Sequence, residues 1–218
     1  MQISGRNLAA VAVLTLAAAC NSSDNETRSE VAEAPEAPAA VEAAVLVAEV
    51  GKQAPDFTLM DLAGNEVSLS DYAEGTVVLE WFNPGCPFVV RAHEQGELAT
   101  WPGTTDVTWL AINSGAPGKQ GHGVDVNLAA AAKWNMDYPV LIDEDGSVGH
   151  AYSAKTTPHM YVIQDGVLVY AGAIDDDAKG SKGADRVNYV QQALAEIADG
   201  KPVSMPETRP YGCSVKYQ

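Results

Sequence analysis

Cys86 follows a hydrophobic segment and immediately precedes Pro87, and this arrangement is the strongest chemical feature of the sequence. Residues 77–82 are apolar apart from Glu80, and Asn-Pro-Gly at 83–85 predicts a tight turn after a buried strand. Proline is favoured at the first helical position, so we expect a helix to begin near Pro87. A helix N-terminus favours an anion, and the thiolate is the reactive form of cysteine. The pattern therefore predicts a reactive thiol; the alternative is a small buried hydrophobe.

Two other residues are candidates for the same chemistry. Glu80 lies in the apolar strand, where burial raises the pKa of a carboxyl group and suits it to accept a proton from a thiol. The alternative for Glu80 is a solvated strand face or a sheet edge. Cys213 lies in a turn-rich tail, and in an oxidising compartment it is a candidate to resolve Cys86 by forming a disulfide with it or with another protein. The alternative for Cys213 is a structural or unreactive thiol.

The composition excludes some classes of function. The chain has 218 residues and a formal net charge of -16, which argues against nucleic-acid binding because that requires a basic surface. Its three cysteines are too few for a disulfide-stabilised scaffold. A hydrophobic content of 46% is sufficient for a packed core. The spacing predicts no cofactor and no metal site, and the Gly-rich loop at 114–124 lacks phosphate-binding spacing.

The first residues are typical of an export signal. Residues 1–19 contain a basic residue, a short apolar run and small residues before Cys20. The sequence Leu-Ala-Ala-Ala-Cys resembles the lipobox of bacterial lipoproteins, which implies that Cys20 is acylated and is the only attachment to the membrane. By the same resemblance, Asn21 implies the outer membrane, on the periplasmic side. The alternative is an ordinary secreted protein.

The remaining chain divides into three parts. Residues 20–50 form an acidic, Ala/Pro-rich tether that cannot bury enough apolar surface to become ordered. Residues 51–200 form the folded domain. Residues 201–218 are a tail without periodicity that contains Cys213.

The folded domain alternates strands and helices. An N-terminal β-hairpin is predicted at 57–60 and 66–69, and further strands are predicted at 76–82, 106–113, 139–142, 159–163 and 167–171. Helices are predicted from Pro87 to about Glu97, at 126–134 and at 184–198, where Val187, Val190, Leu194 and Ile197 form the apolar face. This order predicts an α/β fold, with a central mixed sheet and helices on both faces.

The segment Val77 to Val89 resembles the thioredoxin segment that ends in Cys-Gly-Pro-Cys, and the chain from Gly51 to Ser70 resembles the opening of the redoxins (the alkyl hydroperoxide reductase/thiol-specific antioxidant group). The resemblance covers residues 51–200 and implies a thioredoxin-like fold. It implies that Cys86 is the nucleophile and Glu80 the buried acid of the central strand. Thr157-Pro158 matches the cis-proline beside the active cysteine.

The sequence departs from the family pattern at two positions. Val89 stands where the resolving cysteine is expected, and Asn83 stands where peroxiredoxins have threonine. Arg91 is the nearest candidate for the peroxiredoxin arginine, or is solvent-exposed. The expected function is a thiol-based oxidoreductase of the cell envelope that reacts through Cys86 with a thiol/disulfide protein partner or with a peroxide. The alternative is a redox-inert or metal-carrying thioredoxin-like binding module.

Four residues expected near Cys86 are predicted to line the substrate site. Asn83, Thr157, Pro158 and His159 are predicted to contact the substrate, and His159 is a candidate to stabilise the thiolate. His93 is expected to be exposed on the first helix. The three aspartates at 175–177 are expected to form a solvated acidic loop.

Overall fold

The computed structural model describes residues 46–95, residue 98 and residues 106–218. The predicted signal segment, Cys20 and most of the tether lie outside these residues, as do residues 96–97 at the predicted end of the first helix. Within the described ranges, no helix is both long and apolar enough to cross a membrane.

The core is a seven-stranded mixed sheet with strand order β2-β1-β5-β4-β3-β7-β8. Its strands are β1 (Thr58–Asp61), β2 (Glu66–Ser68), β3 (Thr76–Trp81), β4 (Thr108–Asn113), β5 (Val140–Ile142), β7 (Met160–Gln164) and β8 (Val167–Gly172). The central strand β3 pairs in parallel with β4 and antiparallel with β7. A separate two-stranded sheet joins β6 (Thr156–Thr157) to β9 (Cys213–Ser214).

Helices cover both faces of the large sheet, because its central strands are apolar on both sides. They are α1 (Pro87–Gln95), α2 (Val124–Lys133), α3 (Ser147–Ala151) and α4 (Tyr189–Ala198). On one face Val78 packs with Val190 of α4, and on the other Leu79 packs with Val148 of α3. The predicted α/β fold with its N-terminal hairpin is confirmed.

The structure corrects two helix predictions. The last helix begins at Tyr189, because the Asn188 side chain accepts a hydrogen bond from Gln191 N at 2.8 Å and caps the helix there. Val187 consequently precedes the helix and is exposed instead of lying on its apolar face. The turn at 143–146 continues into α3, which the sequence analysis missed; the buried Asp143 carboxylate accepts hydrogen bonds from the first N–H groups of that helix.

Both ends of the predicted domain are more ordered than the composition indicates. Ala48, assigned to the tether, donates its N–H to Ala151 O at 2.8 Å. The C-terminal tail, which lacks sequence periodicity, contains β9 and buries Val215. Local composition misses such segments because their order depends on contacts with distant residues.

Candidate active site

Cys86 lies at the junction between β3 and α1, as the sequence predicts. Its N–H donates to Asn83 O at 3.0 Å, and its carbonyl accepts the first helical hydrogen bond, from Val90 N at 2.9 Å. The Asn83 side chain is buried: its Oδ1 accepts from Gly85 N at 2.9 Å and its Nδ2 donates to Gln120 O at 3.1 Å. Asn83 therefore builds the turn, and its predicted contact with substrate stays a prediction.

The Cys86 thiol faces the segment that carries the cis-proline. Its Sγ donates to Thr157 O at 3.0 Å, and the Thr157–Pro158 peptide bond is cis. Thr157 pairs across the small sheet with Cys213, whose side chain contacts the Cys86 thiol. The fold thus brings together two cysteines that are far apart in the sequence. Cys86 has no exposed surface, whereas Cys213 is partly exposed.

The two thiols have opposite shifts in pKa. Burial opposes ionisation of Cys86, but hydrogen bonds from the side chains of Cys213 and Thr157 and from the N–H groups of Val89 and Cys213 outweigh it and lower the pKa of Cys86. The Thr157 hydroxyl is buried without another hydrogen-bond partner among the described residues, so it is free to donate to a Cys86 thiolate. Burial and the adjacent Cys86 thiolate raise the pKa of Cys213 to about 11.

Cys213 belongs to an ordered segment, residues 206–217, here called the C-terminal strap. Upstream of Cys213, Thr208 N donates to Ala171 O at 3.1 Å. Downstream, Val215 N donates to Lys155 O at 3.1 Å, and the Tyr217 ring stacks on His150 at 4.2 Å. Because it is anchored on both sides, the strap holds the Cys213 sulfur beside Cys86.

Gly212 allows this close approach. It has φ +143°, and a Cβ atom added there would lie 2.1 Å from Thr157 O. We expect Gly212→Ala to displace the strap, to lower the free energy of unfolding by about 1–3 kcal/mol and to slow Cys86–Cys213 disulfide formation. Urea unfolding and timed alkylation of the thiols measure these two effects.

Gly200→Ala is the matched control, because Gly200 also has a positive φ but a Cβ there would have no neighbour within 4 Å. Gly200→Ala should cost less stability and leave the rate of disulfide formation unchanged. Equal effects of the two variants would contradict the steric argument.

Glu80 is fully buried on β3, so the solvated alternative is wrong. Its Oε1 lies 3.0 Å from His93 Nε2, and its Oε2 accepts a hydrogen bond from Tyr138 at 3.4 Å. His93 is also buried, which corrects its predicted exposure; its ring stacks on Trp134 with centroids 4.7 Å apart. The sequence carried a signal for this burial that was missed. His93 follows the apolar Val89 by four residues, which places both on the same face of α1.

His159 immediately follows Pro158 and is buried. Its Nδ1 lies 2.8 Å from the Tyr161 hydroxyl. Burial, with a smaller contribution from Lys155, lowers the pKa of His159 to about 4. A neutral imidazole supplies no positive charge to a Cys86 thiolate, so the structure does not support the predicted electrostatic role.

The low pKa of His159 predicts a pH-dependent stability. Between about pH 4 and 6.5 the unfolded chain binds a proton at this residue that the folded chain excludes, so stability should rise with pH across this window. The gain should approach about 3 kcal/mol and should be smaller in His159→Asn, which keeps an acceptor for Tyr161 but does not titrate. Urea unfolding of both proteins at pH 4.5 and pH 7 measures the difference; equal pH dependence would contradict the assignment.

The acidic loop is less solvated than expected. Asp175 and Asp177 are buried, and Arg91 donates to the carbonyl oxygens of Asp177 and Ala178 at 3.0 and 3.1 Å. Arg91 is therefore engaged with this loop. Within the described residues, no group of three or more His, Cys, Asp or Glu residues is arranged to hold a metal ion.

The mixed sheet with its helices defines a thioredoxin-like fold, and comparisons with known proteins agree. A hypothetical protein from Sinorhizobium meliloti is 28% identical, with a TM-score of 0.69 over 78% of this chain and 95% of that one. An uncharacterised conserved protein from Geobacillus kaustophilus is 31% identical, with a TM-score of 0.68 over 78% of this chain and 93% of that one. The Redoxin family model matches residues 49–189, so the chain belongs to the Redoxin family.

One curated relative bears a name that describes an activity. The "Thiol-disulfide oxidoreductase ResA" of Geobacillus kaustophilus is 31% identical over 118 residues, which cover 52% of this chain. The match spans 63% of the length of that relative.

Proposed function

We propose that this protein is a thiol–disulfide oxidoreductase whose redox centre is the pair Cys86 and Cys213. The observation that carries the proposal is the pairing of Cys213 with Thr157, the residue whose carbonyl oxygen accepts the Cys86 S–H. Val89 stands where the family motif has its resolving cysteine, so the local motif lacks a second sulfur. Cys213 supplies that sulfur from the C-terminal strap. Membership of the Redoxin family and the name of the curated relative support the same chemistry.

The lowered pKa of Cys86 supports its role as a thiolate in the exchange. As the disulfide forms, each sulfur loses a proton, and two electrons pass to the oxidant. Glu80 is the proposed proton acceptor beneath the site, held by His93. Thr157 and Pro158 form the wall beside Cys86, and the partner is a protein thiol or disulfide.

Non-reducing peptide mapping after equilibration with glutathione disulfide tests the redox pair. We expect a peptide that links Cys86 to Cys213, and we expect the oxidised protein to be reduced by a protein dithiol. If both thiols stay free to react with an alkylating reagent after oxidation, the pair is not the redox centre.

Peroxide reduction through Cys86 is the other reaction that the sequence analysis proposed. It requires a peroxide to reach a buried sulfur, and Arg91 is engaged with the loop at 177–178. Comparing hydrogen peroxide with a protein disulfide as oxidant, at equal concentrations, decides between the two reactions. Faster oxidation by hydrogen peroxide would favour the peroxidase function.

We also propose that the protein is exported and attached by lipid at Cys20 to the outer membrane, on the periplasmic side. The signal-like segment at 1–19 and the resemblance of its end to a lipobox support this location. Metabolic labelling with a fatty-acid analogue should label the protein but not its Cys20→Ser variant. Equal labelling of the two would reject the anchor.

A further inference from the structure

The two sulfurs of the proposed redox pair differ in their access to solvent. Cys86 has no exposed surface, whereas Cys213 is partly exposed on the C-terminal strap. We propose that Cys213 is the sulfur that exchanges directly with a partner's thiol or disulfide, while Cys86 acts beneath it as leaving group and internal base. This inference rests on the proposed function and reverses the order in which the family resemblance predicts the two cysteines to react.

The surroundings of Cys86 block a direct approach. Beneath the sulfur, Phe82 and Val89 belong to the same buried cluster, and neither side chain has more than 1% of its surface exposed. Thr157 and the strap lie beside it. A partner large enough to carry a disulfide can therefore contact Cys86 only after the strap has moved.

Moving the strap would disrupt contacts on both sides of Cys213. The Tyr170 hydroxyl contacts Thr208 Oγ1 at 2.6 Å on the upstream side. On the downstream side, Ala116 N donates to Lys216 O at 2.9 Å and the Tyr217 hydroxyl donates to Ala154 O at 2.9 Å. Exchange at Cys213, a partly exposed residue, requires none of these contacts to break.

In the reductive direction the partner dithiol supplies two electrons to the Cys86–Cys213 disulfide. A partner thiolate attacks Cys213 Sγ, a bond forms between the two sulfurs, and the Cys86–Cys213 bond breaks with its electron pair on Cys86 Sγ. The Val89 N–H and the Thr157 hydroxyl stabilise that thiolate. A second partner thiolate then attacks the partner sulfur of the mixed disulfide and releases Cys213, which takes a proton from water. The partner dithiol is oxidised and the Cys86–Cys213 disulfide is reduced.

The opposite direction uses the packing of Cys213 against the buried cluster that contains Cys86. Cys213 Sγ attacks the partner disulfide while the Cys86 thiolate accepts the Cys213 proton, and the first partner sulfur leaves as a thiolate. Cys86 then gives up that proton, for which Glu80 is the proposed acceptor, and attacks Cys213 Sγ, which breaks the mixed disulfide and releases the second partner thiolate. In the reductive direction the lowered pKa of Cys86 agrees with its leaving role, because a thiol of low pKa is the better leaving group.

The first product of reduction tests the proposal. The oxidised full-length protein is mixed with reduced glutathione, quenched with acid during the first few per cent of the reaction and digested for peptide mapping. We expect glutathione on the Cys213 peptide, at least about 10-fold in excess over the Cys86 peptide. An excess on Cys86 would overturn the order of attack. Absence of the starting disulfide would instead reject the proposed function.

Variants that lack one cysteine of the pair supply a second measurement. With glutathione disulfide as the probe, Cys86→Ser should form a stable adduct at Cys213, because the Cys86 thiol is no longer there to displace it. In Cys213→Ser, Cys86 should react at least about 10-fold more slowly in the folded protein than in guanidinium-unfolded protein, after correction for the rate of a free cysteine peptide in each solvent. Reaction of folded Cys86 at the unfolded rate would contradict the proposal.

Discussion

Replacing Cys86 with serine is expected to reduce the turnover of a protein disulfide by at least about 100-fold, and Cys213→Ser should have an effect of similar size. Neither thiol alone can complete an internal disulfide. The structure provides the reason, because Thr157 pairs with Cys213 and accepts the Cys86 S–H. Steady-state reduction of insulin disulfides, with a dithiol supplied as reductant, measures both variants.

Cys20→Ser is the matched control for these substitutions, because Cys20 precedes the folded domain and has no proposed part in exchange. It should retain the wild-type turnover. A Cys213→Ser protein with wild-type turnover would show that Cys86 works with an external thiol and that Cys213 does not resolve it. Far-UV circular dichroism checks that each variant is folded.

Removing the His93 side chain is expected to have the largest effect on stability. His93→Ala leaves the Glu80 carboxyl group buried without its 3.0 Å partner and opens a gap between Phe82 and Trp134. Removing one partner of a buried pair leaves the other unsatisfied, and together with the cavity this costs about 3–5 kcal/mol. The expected result is a decrease of that size in the free energy of unfolding, measured with urea at pH 7.

Lys133 and Glu94 supply the control, because Glu94 lies on the same helix but this ion pair is exposed to solvent. Glu94→Ala should change stability far less than His93→Ala. The double variant Glu80→Leu/His93→Leu, which replaces both partners with apolar side chains, should recover much of the loss. If His93→Ala were as stable as Glu94→Ala, the buried pair would contribute little to the fold.

The proton-acceptor role of Glu80 needs a separate measurement. Glu80→Gln keeps the size of the side chain and removes its ability to take up a proton. If Glu80 accepts a proton during exchange, the variant should form the Cys86–Cys213 disulfide more slowly even where it remains folded. An unchanged rate in a folded variant would leave Glu80 with a structural role only.

The candidate site divides into a part that local sequence predicts and a part that it does not. The strand, the turn and the helix around Cys86 follow from an apolar run, Asn-Pro-Gly and a proline at the first helical position. The burial of His93 was missed because a histidine is usually polar and exposed, although its spacing from Val89 gave a signal. The alternation of Cys213, Val215 and Tyr217 was likewise a weak strand signal.

The sequence by itself determined the strands, the N-terminal hairpin and the strand–turn–helix position of Cys86, because each depends on neighbouring residues and their periodicity. Only the tertiary structure decided what lies opposite Cys86. The pairing of Thr157 with Cys213 joins residues widely separated in the chain, and it depends on the close approach of Gly212 and the burial of Val215. Such contacts form where distant segments pack together, which local patterns do not specify.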